Sequence, residues 1–224
     1  MLRRFEIYSL RDSAPPDAVA ALRRALRDCG RFIPEVERSA VGTNRSSAPL
    51  HLVWEHAYAS VDAYRRYMVH PFHAAVLDRY LLVDSPERIV SENSLGAGLV
   101  GYTADGPMPD ETVGARRLVL LQLGRDADAR ALRAFTQQVS DARGRWSGMT
   151  ASVLAENTFG SRWFDAVTPI GGEPAWTHLW EQGFRSVADL DRAQETESCL
   201  ATARRDGIVR RSLELEYELE RGPV

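Results

Sequence analysis

The segment HLVWEHAY at 51–58 recurs as THLWEQGF at 177–184, and this recurrence constrains the fold more than any other feature. Trp54 falls on Trp180, Glu55 on Glu181 and Tyr58 on Phe184. Each copy runs into Ser-Val, at Ser60-Val61 and Ser186-Val187. The elements around both copies follow one order. In the first half, Arg4 to Leu10 reads as a strand. After Pro15 and Pro16, Val19, Leu22, Leu26 and Cys29 recur at helical spacing, and Gly30 is a natural stop. Strands follow over 33–43 and 51–58, with the turn-like run Gly42 to Ser47 between them. Ser60 caps a helix carrying Val61, Tyr64 and Tyr67 or Met68, His70-Pro71 interrupts it, and 72–82 resumes. A fourth strand is expected near 88–91. The second half matches, with strands at 116–123, 149–157, 177–184 and 210–219 and a helix marked by Leu132, Phe135 and Val139.

Twice over, the order is β-α-β-β-α-β, a ferredoxin-like unit. A four-stranded sheet with both helices on one face must bury its other face, and a second such sheet is the economical partner. The expected fold class is therefore α+β, with two tandem repeats closing one pseudo-symmetric α/β barrel and the helices outside. The expected divisions are a first repeat over 1–93, a linker over 94–113 and a second repeat over 114–224. The second repeat carries a long insertion over 158–176. The barrel would be completed within the chain, leaving further homodimerisation open. Glu214, Glu216, Glu218 and Glu220 alternate along the last strand and predict a solvent-exposed edge.

All 28 basic residues are arginine. Schiff-base, P-loop and kinase-type lysine chemistry is thereby excluded, so acid and base groups must be His, Tyr, Asp, Glu or Cys. A net charge of −3 spread over both halves gives no basic surface for nucleic acid. Two cysteines, Cys29 and Cys199, make no disulfide framework. The start MLRRFEIYSL has no signal-peptide core, and no stretch is long and apolar enough to span a membrane. A cytoplasmic protein with a small-molecule substrate is expected.

The halves differ in chemistry. His51, His56, His70 and His73 lie in the first, while His178 is alone in the second. Aligned at Ser60 and Ser186, Tyr64 faces Leu190, Tyr67 faces Ala193, His70 faces Thr196 and His73 faces Cys199. This is the pattern of one half carrying a site and the other completing the scaffold; drift in a duplicated copy would leave a similar trace. On the third strand, Leu52, Trp54, His56 and Tyr58 share a face, which puts His56 in an aromatic row. The histidines show no metal-ligand spacing, so neither metal nor cofactor is expected.

The run SVDAYRRYMVHPFH, with HLVWEHAY before it, resembles the stress-responsive A/B barrel (Dabb) family. Its hallmark is an aromatic residue, Ser, a helix with Tyr, then His-Pro-x-His. Here these are Tyr58, Ser60, Tyr67 and His70-Pro71-Phe72-His73, and Asn44 fits an Asn after strand two. The likeness covers 3–92 at motif level and the second half only in topology. Two members of the family have assigned chemistry: a plant polyketide cyclase that forms olivetolic acid by aldol condensation, and a hydroxynitrile lyase. In the cyclase a His is the general base and a Tyr holds or polarises the substrate. The resemblance carries these roles to His73 and Tyr67. Two further pocket histidines of the cyclase fall where this chain has Leu52 or His178, and Arg4 or Arg117.

The expected activity is a cofactor-independent cyclase or lyase acting on a polyketide-like or other carbonyl substrate. His73 and Tyr67 would be the catalytic residues. Trp54, His56, Tyr58, Tyr64, His70, His178, Arg4 and Arg117 would line the pocket, with Trp163 and Phe164 from the aromatic-rich insertion. The alternatives are a cofactor-free monooxygenase of the antibiotic-biosynthesis type, acting on an aromatic substrate, and a non-catalytic stress-response or ligand-binding protein.

Overall fold

Alternating apolar positions and serine-capped helices fold into two β-α-β-β-α-β units that share one sheet. The structure is a computed structural model and describes residues 1–82, 84–91, 99–104, 114–124, 126–158, 176–193 and 195–221. In the first unit, β1 (Leu2–Tyr8) leads to α1 (Pro16–Asp28), β2 (Arg38–Asn44), β3 (Leu52–Tyr58) and α2 (Val61–Met68). A π-helical turn (His73–Leu77), α3 (Asp78–Leu81) and β4 (Leu99–Thr103) follow. The second unit comprises β5 (Ala115–Leu123), α4 (Ala129–Arg145), β6 (Met149–Glu156), β7 (His178–Phe184), α5 (Val187–Arg192), α6 (Glu195–Arg205) and β8 (Val209–Arg221).

The eight strands run in the order β4-β1-β3-β2-β8-β5-β7-β6, all antiparallel. Each half thus repeats the order fourth-first-third-second. The halves join along β2 and β8, paired from Ala40↔Arg221 to Asn44↔Tyr217. Among the described residues the two edges meet at Gly101, where Asn157 Oδ1 accepts from Gly101 N at 3.1 Å and Thr158 N donates to Gly101 O at 3.0 Å. Gly101 is required there, because a Cβ would come within 2.6 Å of the Arg3 carbonyl.

Small bonds repeat as faithfully as the strands. Trp54 Nε1 donates to Ser39 Oγ at 2.8 Å, and that hydroxyl donates to the Leu26 carbonyl at 2.6 Å. Trp180, Ser152 and Val139 form the same chain at 2.9 and 2.7 Å. Ser60 caps α2 through Ala63 N, and Ser186 caps α5 through Asp189 N.

Each helix layer buries its own apolar cluster against the sheet, and a third cluster, including Phe5, Val53, Leu118, Leu179 and Leu215, fills the barrel. Within the barrel lies a buried ionic network with the same pseudo-symmetry: Arg3 and Arg116, Glu55 and Glu181, Tyr102 and Tyr217. Arg3 donates to Glu181 (Nε–Oε2 2.9 Å, Nη2–Oε1 2.5 Å) and to Glu55 Oε2 at 2.6 Å. Tyr102 bonds Glu181 at 2.8 Å and Tyr217 bonds Glu55 at 2.7 Å. Arg116 Nε lies 3.7 Å from both carboxylates. Such a network is neutral as a set but costly to break at one member, since the remaining charge stays buried.

Two expectations are corrected. The fourth strand near 88–91 is only an isolated bridge, Leu10↔Val90, and β4 itself lies at Leu99–Thr103, inside the stretch read as a linker. Val209 pairs with Leu123 as Val90 does with Leu10, so β8 spans in one strand the positions that match both Val90 and β4. The polar, Gly-rich run after Val90 hid the continuation. The acidic strand β8 is not an edge but the centre of the sheet. Three of its four alternating glutamates are paired, Glu214 and Glu216 with Arg117 at 2.8 and 2.6 Å and Glu220 with Arg23, while Glu218 is exposed.

Candidate functional site

Between the first-half sheet and its helices lies the densest polar and aromatic cluster among the described residues. Strand alternation supplies the floor. Arg4, Glu6 and Tyr8 of β1 face the helices, as do Trp54, His56 and Tyr58 of β3, with Arg4 in register with His56 and Glu6 with Trp54. The ceiling comes from α2, where Tyr64 and Tyr67 are three residues apart on one face and both buried. At about 100° per residue, an unbroken α-helix would carry His73 away from Tyr67. Pro71 interrupts the helix, and the chain re-enters as a π turn that begins at His73. His73 then meets Tyr67 edge to face, with ring centroids 4.5 Å apart.

Most polar atoms of the cluster are satisfied. Arg4 pairs with Glu6 at 3.0 Å and donates to the Tyr64 hydroxyl. Tyr8 donates to Glu6. His56 lies flat on Trp54 with centroids 3.9 Å apart; its Nδ1 is 2.6 Å from the Tyr58 hydroxyl and its Nε2 3.4 Å from Glu6 Oε1. A carboxylate beside Nε2 favours the Nε2–H tautomer, so Nδ1 accepts from Tyr58. Beside His56 Nε2, whose nearest charge is Glu6, the Tyr67 hydroxyl and His73 Nδ1 are buried with no hydrogen-bond partner. Asp78 Oδ2, at 3.6 Å, is beyond bonding distance of that nitrogen but near enough to act through its charge.

The electrostatics set protonation states. Burial opposes the charge on Glu6, but Arg4 and then His56 outweigh it and hold the carboxyl down at about 2. Burial pushes His56 down to about 4, so it is a neutral ring near pH 7. Burial lowers His73 as well, against the pull of Asp78, so it too is neutral and able to accept a proton. Burial raises Tyr67 far above the ordinary phenol value, so it stays protonated.

The residues expected to line the pocket divide. His73, Tyr67, Trp54, His56, Tyr58, Tyr64 and Arg4 converge. His70 is adjacent in sequence but turns to cap the break, its Nδ1 accepting from Phe72 N at 3.2 Å. Arg117 and His178 belong to the second-half layer. There Arg117 is bound by Glu214, Glu216 and the Ala193 carbonyl, and His178 sits beside Thr177. Trp163 and Phe164 lie outside the described residues. Glu6, Tyr8 and Asp78 escaped the sequence reading. The signal for the first two was present, since Glu6 and Tyr8 fall where the second half has Val119 and Leu121. Among the described residues no group of three His, Cys, Asp or Glu side chains could hold a metal ion.

Phe72, next to His73 in sequence, stacks on Phe32 with 4.5 Å between ring centroids, and Phe32 is about half exposed at 53%. The cluster can therefore offer a buried neutral base, His73, and a buried neutral hydroxyl donor, Tyr67, to a carbonyl.

Comparison with known proteins bears on the fold. Residues 2–91 match the family described as Stress responsive A/B Barrel Domain, a span that runs from β1 past α3 and holds the His70-Pro71-Phe72-His73 motif. No curated protein matches. Three solved structures share the whole fold at low identity. One is a "putative monooxygenase" of Fusobacterium nucleatum (5% identity, TM-score 0.62, covering 97% of this chain and 91% of that one). Another is an anthrone oxidase-like protein (8%, TM-score 0.60, 98% and 91%). The third is chlorite dismutase from Candidatus Nitrospira defluvii in complex with imidazole (10%, TM-score 0.58, 98% and 90%). At these identities the likeness is one of fold.

Proposed function

We propose, on the premise that residues 2–91 carry a stress responsive A/B barrel domain, that this protein is an enzyme acting on a small carbonyl compound by His general-base chemistry, as a cyclase or C–C lyase. The observation that carries the reading is the pair of buried polar atoms without partners, the Tyr67 hydroxyl and His73 Nδ1, on rings in contact. Buried polar groups are almost always satisfied, and an unsatisfied pair side by side is what a site built for a ligand leaves behind.

His73 removes a proton from the carbon next to a substrate carbonyl, and the new imidazolium is held by Asp78 3.6 Å away. Tyr67 donates its hydrogen bond to the oxygen on which charge develops. The enolate carbon attacks a second carbonyl of the same chain, forming the C–C bond. His73 then returns its proton to the resulting alkoxide. In a lyase the same groups run the sequence in reverse. Arg4, Glu6 and His56 hold the floor in one protonation state.

The named structural neighbours supply a second reading, oxygenation of an activated aromatic by the same base. Oxygen separates the two. Poly-β-keto thioesters should be turned over equally with and without oxygen, and His73→Ala should lower kcat/KM by roughly 10²–10⁴-fold. Turnover that stops without oxygen selects the monooxygenase, and activity that survives His73→Ala removes the site assignment altogether.

A further inference from the structure

We infer that Tyr58 is a redox-active residue: a one-electron oxidant, such as an organic radical, takes an electron from its phenol while the phenol proton passes to His56. The two are already joined. The Tyr58 hydroxyl donates to His56 Nδ1 at 2.6 Å, and His56 Nε2 lies 3.4 Å from Glu6 Oε1, so phenol, imidazole and carboxylate follow one another in contact. Trp54, stacked flat on His56 at 3.9 Å, fixes the plane of the ring. The carbonyl chemistry of His73 and Tyr67 makes no use of the Tyr58 proton. Packing does not require the trio either. In the second half Phe184 stands for Tyr58, Gln182 for His56 and Val119 for Glu6, and all six are buried. Trp180 keeps the place of Trp54. The same fold thus closes around Phe, Gln and Val, and the hydroxyl, imidazole and carboxylate of the first half serve something other than the core.

Protonation states decide what the trio can do. Burial raises the Tyr58 phenol well above its ordinary value and lowers His56 to about 4. The proton therefore stays on Tyr58 in the resting protein, which excludes a phenolate nucleophile. Loss of an electron reverses the order, because an oxidised phenol is a far stronger acid than an imidazolium. The products are a neutral Tyr58 radical, an imidazolium at His56 facing Glu6, and the reduced oxidant. When a reductant such as ascorbate returns the electron, the Tyr58 oxygen takes its proton back. All seven tyrosines are buried, so access does not choose among them. The proton acceptor does. Tyr8, Tyr102 and Tyr217 donate to Glu6, Glu181 and Glu55, and each of these carboxylates is already paired with Arg4 or Arg3. A proton arriving there breaks an ion pair and strands a buried arginine, whereas on His56 it makes a new pair with Glu6. None of this requires that His73 and Tyr67 be catalytic.

The test photo-oxidises the full chain, without substrate, using ruthenium tris-bipyridine with persulfate as the terminal oxidant, and reads the freeze-quenched sample by EPR. A tyrosyl radical should form, and in the unmodified protein it should form more slowly in heavy water, because the electron and the proton leave together. Tyr58→Phe, the residue the fold already accepts at Phe184, should lose the signal. So should His56→Gln, since a Gln amide accepts the phenol hydrogen bond but cannot take the proton. His73→Ala should keep it, and for that reason a failure of the carbonyl chemistry leaves this result standing. The inference is overturned if the radical rests on tryptophan, if Tyr58→Phe or His56→Gln retains the tyrosyl signal, or if heavy water leaves the rate unchanged. It is also overturned if His73→Ala abolishes the signal, which would make His73 the proton acceptor.

Discussion

Tyr67→Phe is expected to make the protein more stable while making it inactive. The hydroxyl is fully buried and has no partner, whereas the ring is held by Tyr58, Tyr64 and His73 at centroid distances of 5.2, 5.8 and 4.5 Å. A buried hydroxyl left unpaired costs about 1–3 kcal/mol, and deleting one oxygen leaves too small a void to offset that. For a chain of this size about 1 kcal/mol moves Tm by roughly 2–4 °C, so a rise of several degrees is within reach of calorimetry. Tyr58→Phe is the matched control. It deletes the same atom from the same cluster, but that hydroxyl bonds His56 Nδ1 at 2.6 Å, so stability should fall by about 1 kcal/mol. Equilibrium urea unfolding followed by tryptophan fluorescence gives both values. If Tyr67→Phe loses as much stability as Tyr58→Phe, the Tyr67 hydroxyl is structurally bonded and the reasoning that made it a substrate donor is wrong.

Three more perturbations test other parts of the structure. His56 sits at about 4 against an ordinary 6.5, so the unfolded chain takes up its proton first as pH falls; stability is intact above about 6.5 and declines by about 3 kcal/mol down to about 4. His56→Gln, the residue the second half uses at Gln182, should flatten that part of a pH–stability curve, and an unchanged slope would refute it. Asp78→Asn removes the charge that supports His73 protonation, so the acid limb of kcat/KM should move to lower pH; a move to higher pH would mean the two do not face each other in the working enzyme. Glu181→Gln strands a buried arginine charge and should cost about 3–5 kcal/mol, with Glu55→Gln close behind by pseudo-symmetry. A loss below about 1 kcal/mol in chemical denaturation would show that water reaches the barrel interior.

Architecture was legible in the sequence because it rests on patterns that survive translation into space. The Trp-Glu pairs and the Ser-Val starts marked the repeat, and period two on β3 already put His56 with Trp54 and Tyr58. Pro71 announced the break that brings His73 back to Tyr67, although not that the chain would re-enter as a π turn. What stayed hidden depended on partners distant in the chain. Glutamates at period two on β8 look like a solvent face until Arg117 and Arg23 are seen opposite them. Arg3, Glu55 and Glu181 are ordinary charged residues in one dimension and become a buried network only when the sheet curls. Arg4 and Arg117 align in sequence, yet the first is held at the cluster by Glu6 and the second is drawn away by Glu214 and Glu216.

The sharing of one barrel by two covalently joined halves has a consequence for how such a protein can change. In a symmetric homodimer every substitution is made twice, once on each side of the axis, so no residue can be tuned for a single neighbour. Here Glu6 and Tyr8 of the first half stand where the second half has Val119 and Leu121, a difference that identical subunits could not hold. Tethering also makes assembly independent of concentration, since one half always finds the other at the same effective molarity. Freed from both mirror copying and dilution, one half could give up its histidine and tyrosine without the other losing its scaffold.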